Sequence, residues 1–579
     1  MVTNPAARQQ QLHFFTLLLF AAVLPWFVQP STYWRDGPEF ILSAFFLDIS
    51  HPPGSPAYAQ LIHPLTWLPI GTIAARVHLS SALIVVWLAA VTMDLARNFS
   101  CNVFFSIASA ITLLFLPGVM HQALTAEVYT LSAVVIFLMV RLIVYYENSS
   151  DVRALVAVAF LAGLGSGVHV IVAIAGAVLS CITLCFIILR APTTARKLIS
   201  SLALPIFLSG VIGLFVWFYL PARALQNPPL NTGSPVTAAR FWGQLSNARD
   251  RDLRPNSGLE SFHLSAKQLL ADGLRITNHT GAPLMALSLI GFCLLTRARA
   301  LSGACLTGIV FLICALFAGW DFAPFAIIAA PLAIACCFAT QKISRLFKAS
   351  VPKAIAVALL IALVCLSNSG SSIKLATDLR LYEEPASTVV GTLSEIPSGA
   401  HALIEQSYFL TSYIQAIENF RPDIQIAYQP AVEWPDYFAP QINPQTGTPY
   451  QNLAQYLNSA QLNLPITFEP SPLTIRTLGE IANCTAQHGW FVQRPLLKSI
   501  ADNCGDRLLK RLSSSRVSAA EIIADEQNFR EQKVLPSIEF IYRSGKKTEG
   551  LELAKSFCEK FTCSEKARNA RELLLKTQL

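Results

Sequence analysis

Residues 163–189 read GLGSGVHVIVAIAGAVLSCITLCFIIL. No residue from Val170 to Leu189 is charged. A helix of about 20 such residues crosses the hydrocarbon core of a bilayer. This run joins a second apolar run, Ala154–His169, with no polar loop between them. One helix over both would hold about 36 residues and reach about 54 Å, too long for a single crossing. Gly163, Gly165 and Gly167 therefore mark a break. The stretch predicts two membrane spans that turn near the bilayer rim, with His169 at the end of the first.

The same test outward gives Leu12–Val28, Leu79–Leu95, Val103–Val119, Val128–Tyr145, Leu198–Leu220, Ala282–Leu295, Leu301–Ala318, Phe322–Thr340 and Ala354–Leu366. The total is about eleven spans. The composition agrees: 53% of residues are hydrophobic and 13% charged, against roughly 25% charged in soluble domains. Most charges lie after Asn368 or between Pro221 and Gly281. The chain reads as an α-helical polytopic membrane protein over residues 1–370, with a soluble α/β-to-α region over 371–579. The first run lacks a small-residue cleavage site, and Pro25, Trp26 and Phe27 fit a retained span better than a signal peptide.

Charge sorts the loops. Arg190, Arg196 and Lys197 share one side with Arg297, Arg299, Lys342, Arg345, Lys348 and Lys353. The short opposite loops, Met120–Glu127 and Gly319–Asp321, have no Lys or Arg. The positive-inside rule places the basic loops and the N-terminus in the cytoplasm. Loops 29–78, 120–127 and 221–281 and the whole of 371–579 are then exocytoplasmic. A bacterial inner membrane facing the periplasm is preferred to an endoplasmic reticulum membrane. The net charge of +8 does not indicate nucleic acid, because many basic residues sit in the short loops that set topology. Of the 13 cysteines, four lie in the tail: Cys484, Cys504, Cys558 and Cys563. Four allow two disulfides in an exported region. Proximity favours Cys484–Cys504 and Cys558–Cys563, and a zinc site is the alternative.

This topology gathers ionisable groups from separate segments on one membrane face. Asp36, Glu39 and His51 lie in the first outer loop, His121, Glu127 and Tyr129 in the next. His169 lies near the outer end of its span, and Arg223 follows the Leu198–Leu220 run. Ionisable groups at a membrane are costly and default to a functional reading. Each has a plainer reading alone: Asp36, Glu39 and His51 as solvated loop residues, Glu127 as a helix cap, His169 as a satisfied interior histidine, Arg223 as an interfacial anchor. Their joint placement favours group transfer at the membrane surface. A hydroxyl acceptor needs a carboxylate in reach of its proton, and a leaving phosphate needs fixed positive charge. There is no Gly-rich phosphate loop, no HExxH and no CxxC pair.

WRDGPEF (residues 34–40), then HPPGSPAY (51–58), is similar to the opening of the membrane-protein family labelled domain of unknown function 2723. AEVYTL (126–131), GLGSGVH (163–169) and YLPARALQNPPLNTGSP (219–235), followed by Phe241-Trp242, resemble later elements of that family. So does Arg421-Pro422-Asp423, and the likeness covers roughly residues 12–430. Arg35 and Pro38 interrupt the first element, and Thr232 stands where the family has tryptophan. The family resembles the GT-C glycosyltransferases and includes an animal protein O-mannosyltransferase.

The resemblance implies transfer of a mannose-like sugar from a polyprenyl-phosphate donor to a hydroxyl on protein or glycan, by an inverting displacement. Asp36 would be the catalytic base, with Glu39 as second candidate. His51, His169 and Arg223 would bind the donor phosphate. Glu127, Tyr129 and Asn227 would position substrate, with a divalent metal held by Glu127 and Glu39 as an alternative. Two other classes compete. A transporter or flippase of lipid-linked sugars would show mid-span charges and internal repeats; a non-catalytic envelope-assembly scaffold would need no cluster.

In the tail, His401–Glu405 and Ile424–Ala427 read as strands around a helical stretch, Tyr408–Phe420. Pro430–Pro472 reads as loop, and Ala519–Tyr542 and Thr548–Lys576 as amphipathic helices. The tail either binds acceptor, covers the cleft, or only stabilises the protein.

Overall fold

The computed structural model describes residues 5–32, 36–190, 192–248, 281–316 and 325–346. Of the tail it describes chiefly 398–404, 408–428, 466–468 and 491–492, with single positions elsewhere. The Ala354–Leu366 run, the four tail cysteines, Trp34 and nearly all of the two predicted tail helices lie outside the described residues.

The membrane part is helical. In chain order it comprises α1 (Pro5–Val23), α2 (Gly37–Phe46), α3 (Pro56–Ile62), α4 (Ile73–Asn98), α5 (Val103–Leu114) and α6 (Pro117–Leu124). Next come α7 (Tyr129–Ser149), α8 (Arg153–Ser166), α9 (Val170–Arg190), α10 (Pro192–Leu214), α11 (Tyr219–Ala224) and α12 (Ala238–Leu245). The last three are α13 (Ala282–Ala298), α14 (Ala300–Leu316) and α15 (Phe325–Leu346).

Among the described residues, six helices are long and apolar enough to cross a membrane: Gln9–Phe27, Ile73–Asn98, Tyr129–Ser149, Val170–Arg190, Ser200–Ala224 and Ala326–Arg345. This makes the chain a helical membrane protein. The predicted span Val103–Val119 is two helices bent by 72° between Leu114 and Gly118. The second helix opens with proline in its first turn, where a missing backbone N–H is tolerated. Apolar helices of 10–17 residues account for four further segments: Gly37–Phe46, Arg153–Ser166, Ala282–Ala298 and Ala300–Cys314. The first outer loop is not open chain, because it holds α2 and α3.

The break in the opening stretch falls where the glycines put it. Helix α8 ends at Ser166 and α9 begins at Val170. A Cβ on Gly163 would come within 2.4 Å of the Gly210 carbonyl, and one on Gly213 within 2.5 Å of the Phe160 carbonyl. Helices α8 and α10 therefore pack backbone to backbone, the small-residue packing expected where lipid gives helices no hydrophobic drive to associate. Gly167 fits the turn against Val216 and Ala57, and its carbonyl accepts the Ala57 N–H at 2.8 Å. That bond ties the α8–α9 turn to the start of α3.

At the other end of the bundle, Arg141 pairs with Asp94, Arg299 bonds Asn148 and Ser302 bonds Glu147. The acidic and basic ends of α4, α7 and α14 thus meet away from the end that carries His51 and His169.

The tail contributes a four-stranded parallel sheet, β1 (His401–Ile404), β2 (Gln425–Tyr428), β3 (Ile466–Phe468) and β4 (Phe491–Val492), in the order β2-β1-β3-β4. Helix α16 (Tyr408–Ala416) is the crossover between β1 and β2 that parallel pairing requires. The two predicted strands and the helix between them are present. Strand β3 lies inside Pro430–Pro472, a segment expected to be loop. Its three residues are too short a signal to read against the surrounding Pro, Gln and Asn.

The Arg421-Pro422-Asp423 element has a structural use. Arg421 grips Asp423 in a fork at 2.8 and 2.9 Å and bonds the Leu393 and Ile396 carbonyls. Asp423 in turn accepts from Ser398 and Gly399, which fixes the entry to β1. The Arg421 guanidinium holds the Asp423 carboxyl well below the usual carboxylate range. Helix α16 packs against α2, so the sheet sits on the first outer segment of the membrane part.

Candidate functional site

The site is built on a fold-back of the chain. Helix α2 starts at Gly37-Pro38, where proline suits the first turn, and stops at Leu47 in the left-handed conformation (φ 58°). The chain then returns along the helix through Asp48, Ile49 and Ser50. This return is pinned by a second segment: Ile49 donates to the Leu230 carbonyl at 2.9 Å and accepts from Thr232 at 3.2 Å. Gln244 of α12 donates to the Ser50 carbonyl at 2.9 Å. The segment leading into HPPG and the end of NPPLN therefore meet through one short parallel bridge, Ile49 to Asn231. Gly54 follows at φ +107°, with Leu220 3.1 Å from where a Cβ would stand.

The return brings His51 to Glu39. The Glu39 carboxylate is fully buried and accepts twice from His51, from the backbone N–H at 2.5 Å and from Nδ1 at 2.6 Å. Asp36, the exposed residue that precedes α2, completes the group. One ligand atom from each of Asp36, Glu39 and His51 lies within 4.8 Å of the others. Two carboxylates and an imidazole suit a divalent cation. Both Glu39 oxygens already serve His51, and each keeps a further lone pair to offer a cation.

A second group faces the first. The Tyr129 ring lies 5.3 Å from that of His169. Nδ1 of His169 accepts the Ile171 N–H at 3.2 Å, which leaves the proton on Nε2 when the ring is neutral. Burial, and then the charge of His51, push the His169 pKa down to about 4. Its imidazole is therefore neutral near pH 7. Glu127, buried in the α6–α7 turn, acts on Tyr58, whose phenol is pushed up first by burial and then by the Glu127 charge. Tyr58 and His51 both lie against the Phe40 ring, at 5.4 and 5.8 Å.

Arg223 and Asn227 are elsewhere. Arg223 donates to the Leu47 carbonyl at 2.9 Å, to the Phe46 carbonyl at 2.7 Å and to the Gln226 side chain at 2.5 Å. Tyr219 also donates to Leu47. These groups cap the orphan carbonyls at the C-terminus of α2. Asp36 is at the other end of a ten-residue helix, roughly 15 Å away. Asn227 is exposed, in the left-handed conformation (φ 49°) at the end of α11.

Asp48 lies in the loop that follows α2, yet it is not a solvated loop residue. Its side chain is fully buried, and neither oxygen has a hydrogen-bond partner of good geometry. Burial pushes its carboxyl up to about 8, against the smaller opposing pull of the Leu230 N–H and the Arg223 charge. Nothing local marks Asp48; the only available signal was that its neighbours on either side were elements assigned to the site.

The fold and this cluster define a helical membrane protein with an acidic, histidine-bearing site at one end of its bundle. Residues 36–195 match the family described as Protein O-mannosyl-transferase TMEM260 N-terminal domain. The match begins at Asp36 and contains Glu39, His51, Glu127, Tyr129 and His169. The resemblance to relatives of the animal transmembrane O-mannosyltransferase is shown over that stretch. No curated protein matches the chain.

Proposed function

We propose that the protein is a membrane glycosyltransferase of the O-mannosyltransferase kind. It moves a mannose-like sugar from a polyprenyl-phosphate donor to a hydroxyl acceptor on protein or glycan at the exocytoplasmic face. The observation that carries this reading is the convergence of Asp36, Glu39 and His51 at the end of α2, within the stretch that matches the family.

Asp36 is the exposed carboxylate of the group and the one in reach of an incoming hydroxyl. It takes the hydroxyl proton as the oxygen attacks the anomeric carbon. The bond from that carbon to the phosphate oxygen breaks, and the phosphate leaves with the electron pair. One displacement inverts the anomeric centre. Glu39 orients His51, which faces the departing phosphate. Tyr129 and His169 line the far side as neutral groups. Arg223 holds α2 in place from its C-terminal end. The membrane part, residues 1–370, carries donor and site, and the region 371–579 lies on the same exocytoplasmic side.

The test is incubation of the purified full chain with radiolabelled polyprenyl-phosphate sugars and protein or glycan acceptors. Label on the acceptor supports the reading. Movement of intact donor across liposomes without transfer would replace it with a flippase.

A further inference from the structure

Helices α8 and α10 touch backbone to backbone at Gly163, Gly210 and Gly213. Away from that contact, toward Arg153, they leave a gap. A cavity of about 260 Å³ lies between α8, α9 and α10, with Ile143 of α7 also lining it. Small side chains at Ser180, Thr183 and Ala203 leave the space, and Val158, Ile187 and Ile206 give it apolar walls. The Thr183 hydroxyl bonds its own helix, at the Leu179 carbonyl, 2.8 Å away. An apolar cavity of about 150 Å³ already takes a benzene ring, so this one takes a stretch of hydrocarbon. Helix α9 starts at Val170 beside His169, and Ile187 lies roughly 25 Å further along it. The cavity therefore belongs to the bundle end away from the Asp36–Glu39–His51 group.

Two arginines stand at that end. Arg190 follows Ile187 by one turn of α9, and its guanidinium sits 4.2 Å from the Phe186 ring. Arg153 opens α8 just before Leu155, which also lines the cavity. The Arg153 side chain is 93% exposed, with the Asp151 carboxylate 4.0 Å away. We propose that the cavity and these two arginines form a site for an anionic phospholipid. It comes from the leaflet at that end, which the positive-inside rule makes cytoplasmic. One acyl chain enters the cavity, and the head group meets Arg153 and Arg190. Basic groups between membrane helices recognise anionic head groups in this way, and the planar guanidinium suits a phosphate. Arginines at a loop would by themselves do no more than set topology. The apolar slot within about one turn of both is what makes them a lipid site. The proposal is independent of the transferase reading, because the donor phosphate of that reading sits at the opposite end of α9.

The experiment is native mass spectrometry of the full chain in detergent micelles. The micelles carry dioleoyl phosphatidylglycerol, dioleoyl phosphatidylcholine or a polyprenyl phosphate. Wild type should retain phosphatidylglycerol over phosphatidylcholine by roughly 30-fold, the effect of two basic residues on a charged head group. The double variant Arg153→Gln, Arg190→Gln should bring the two lipids near parity. Ala203→Phe, which fills the cavity, should weaken retention of both. Thermal midpoints within a few degrees of wild type show that each variant folds. Both arginines are exposed, so the head-group test stands even where Ala203→Phe does not fold. Equal retention of the two phospholipids by wild type, a preference that survives loss of both arginines, or unchanged retention by folded Ala203→Phe overturns the proposal. Displacement of phosphatidylglycerol by the polyprenyl phosphate also overturns it, and would make the slot part of the donor's path.

Discussion

Glu39 holds His51 by both carboxylate oxygens, one on the backbone N–H and one on Nδ1, across the fold-back that follows α2. The first bond fixes where the chain is and the second fixes how the ring faces. Replacing Glu39 by glutamine keeps an acceptor for the backbone N–H but offers an N–H to Nδ1. The imidazole must then reverse its tautomer and present a donor where it presented an acceptor. We expect Glu39→Gln to fold and to lose transfer about 100-fold, the usual cost of a misplaced site group. The tautomer reversal is checked by ¹⁵N NMR of His51.

Asp48 makes stability depend on pH. Its folded pKa, about 8, lies above its unfolded value near 3.9. Between those values the folded state binds the extra proton, so this group's contribution to stability falls as pH rises from about 4 to 8. Asp48→Asn removes the titration and keeps the shape. The variant should show a flatter curve of thermal midpoint against pH than wild type and gain on it by a few kcal/mol at pH 8. Parallel curves would rule out a protonated Asp48.

Arg223 is placed to hold a helix end rather than a phosphate. Arg223→Ala removes two charge-assisted bonds to the Phe46 and Leu47 carbonyls, a cost of about 2–3 kcal/mol. Thermal unfolding should shift accordingly. Once folded, the variant should keep its KM for donor within a few-fold. A large rise in donor KM without loss of stability would return Arg223 to the phosphate.

Gly54 tests the meeting of the two sequence elements. At φ +107° and against Leu220, Gly54→Ala should destabilise the protein by about 1–3 kcal/mol. Differential scanning fluorimetry in detergent measures this. An unchanged midpoint would show that the HPPG turn is not held as described.

Much of this was legible from residue order. The glycine-rich break after Ser166, the transmembrane class, the β1–α16–β2 unit and the grouping of Asp36, Glu39 and His51 all follow from apolar run length, charge placement and alternation. Three things were not. The bend at Pro117 joins two runs of the same hydropathy, so run length alone reads one span. The position of Arg223 depends on the length and direction of α2, which a sequence read as outer loop does not reveal. The burial of Asp48 depends on the Leu230–Thr232 segment, about 180 residues away in the chain, and on the docking of the tail sheet. Local pattern carries no term for either contact.

The central claim is that Asp36 takes the proton of the acceptor hydroxyl. The direct measurement is the single-turnover rate of sugar transfer by purified Asp36→Asn, alongside its thermal midpoint. The account predicts a rate at least about 100-fold below wild type with an unchanged midpoint. Transfer within a few-fold of wild type by a folded Asp36→Asn would contradict it.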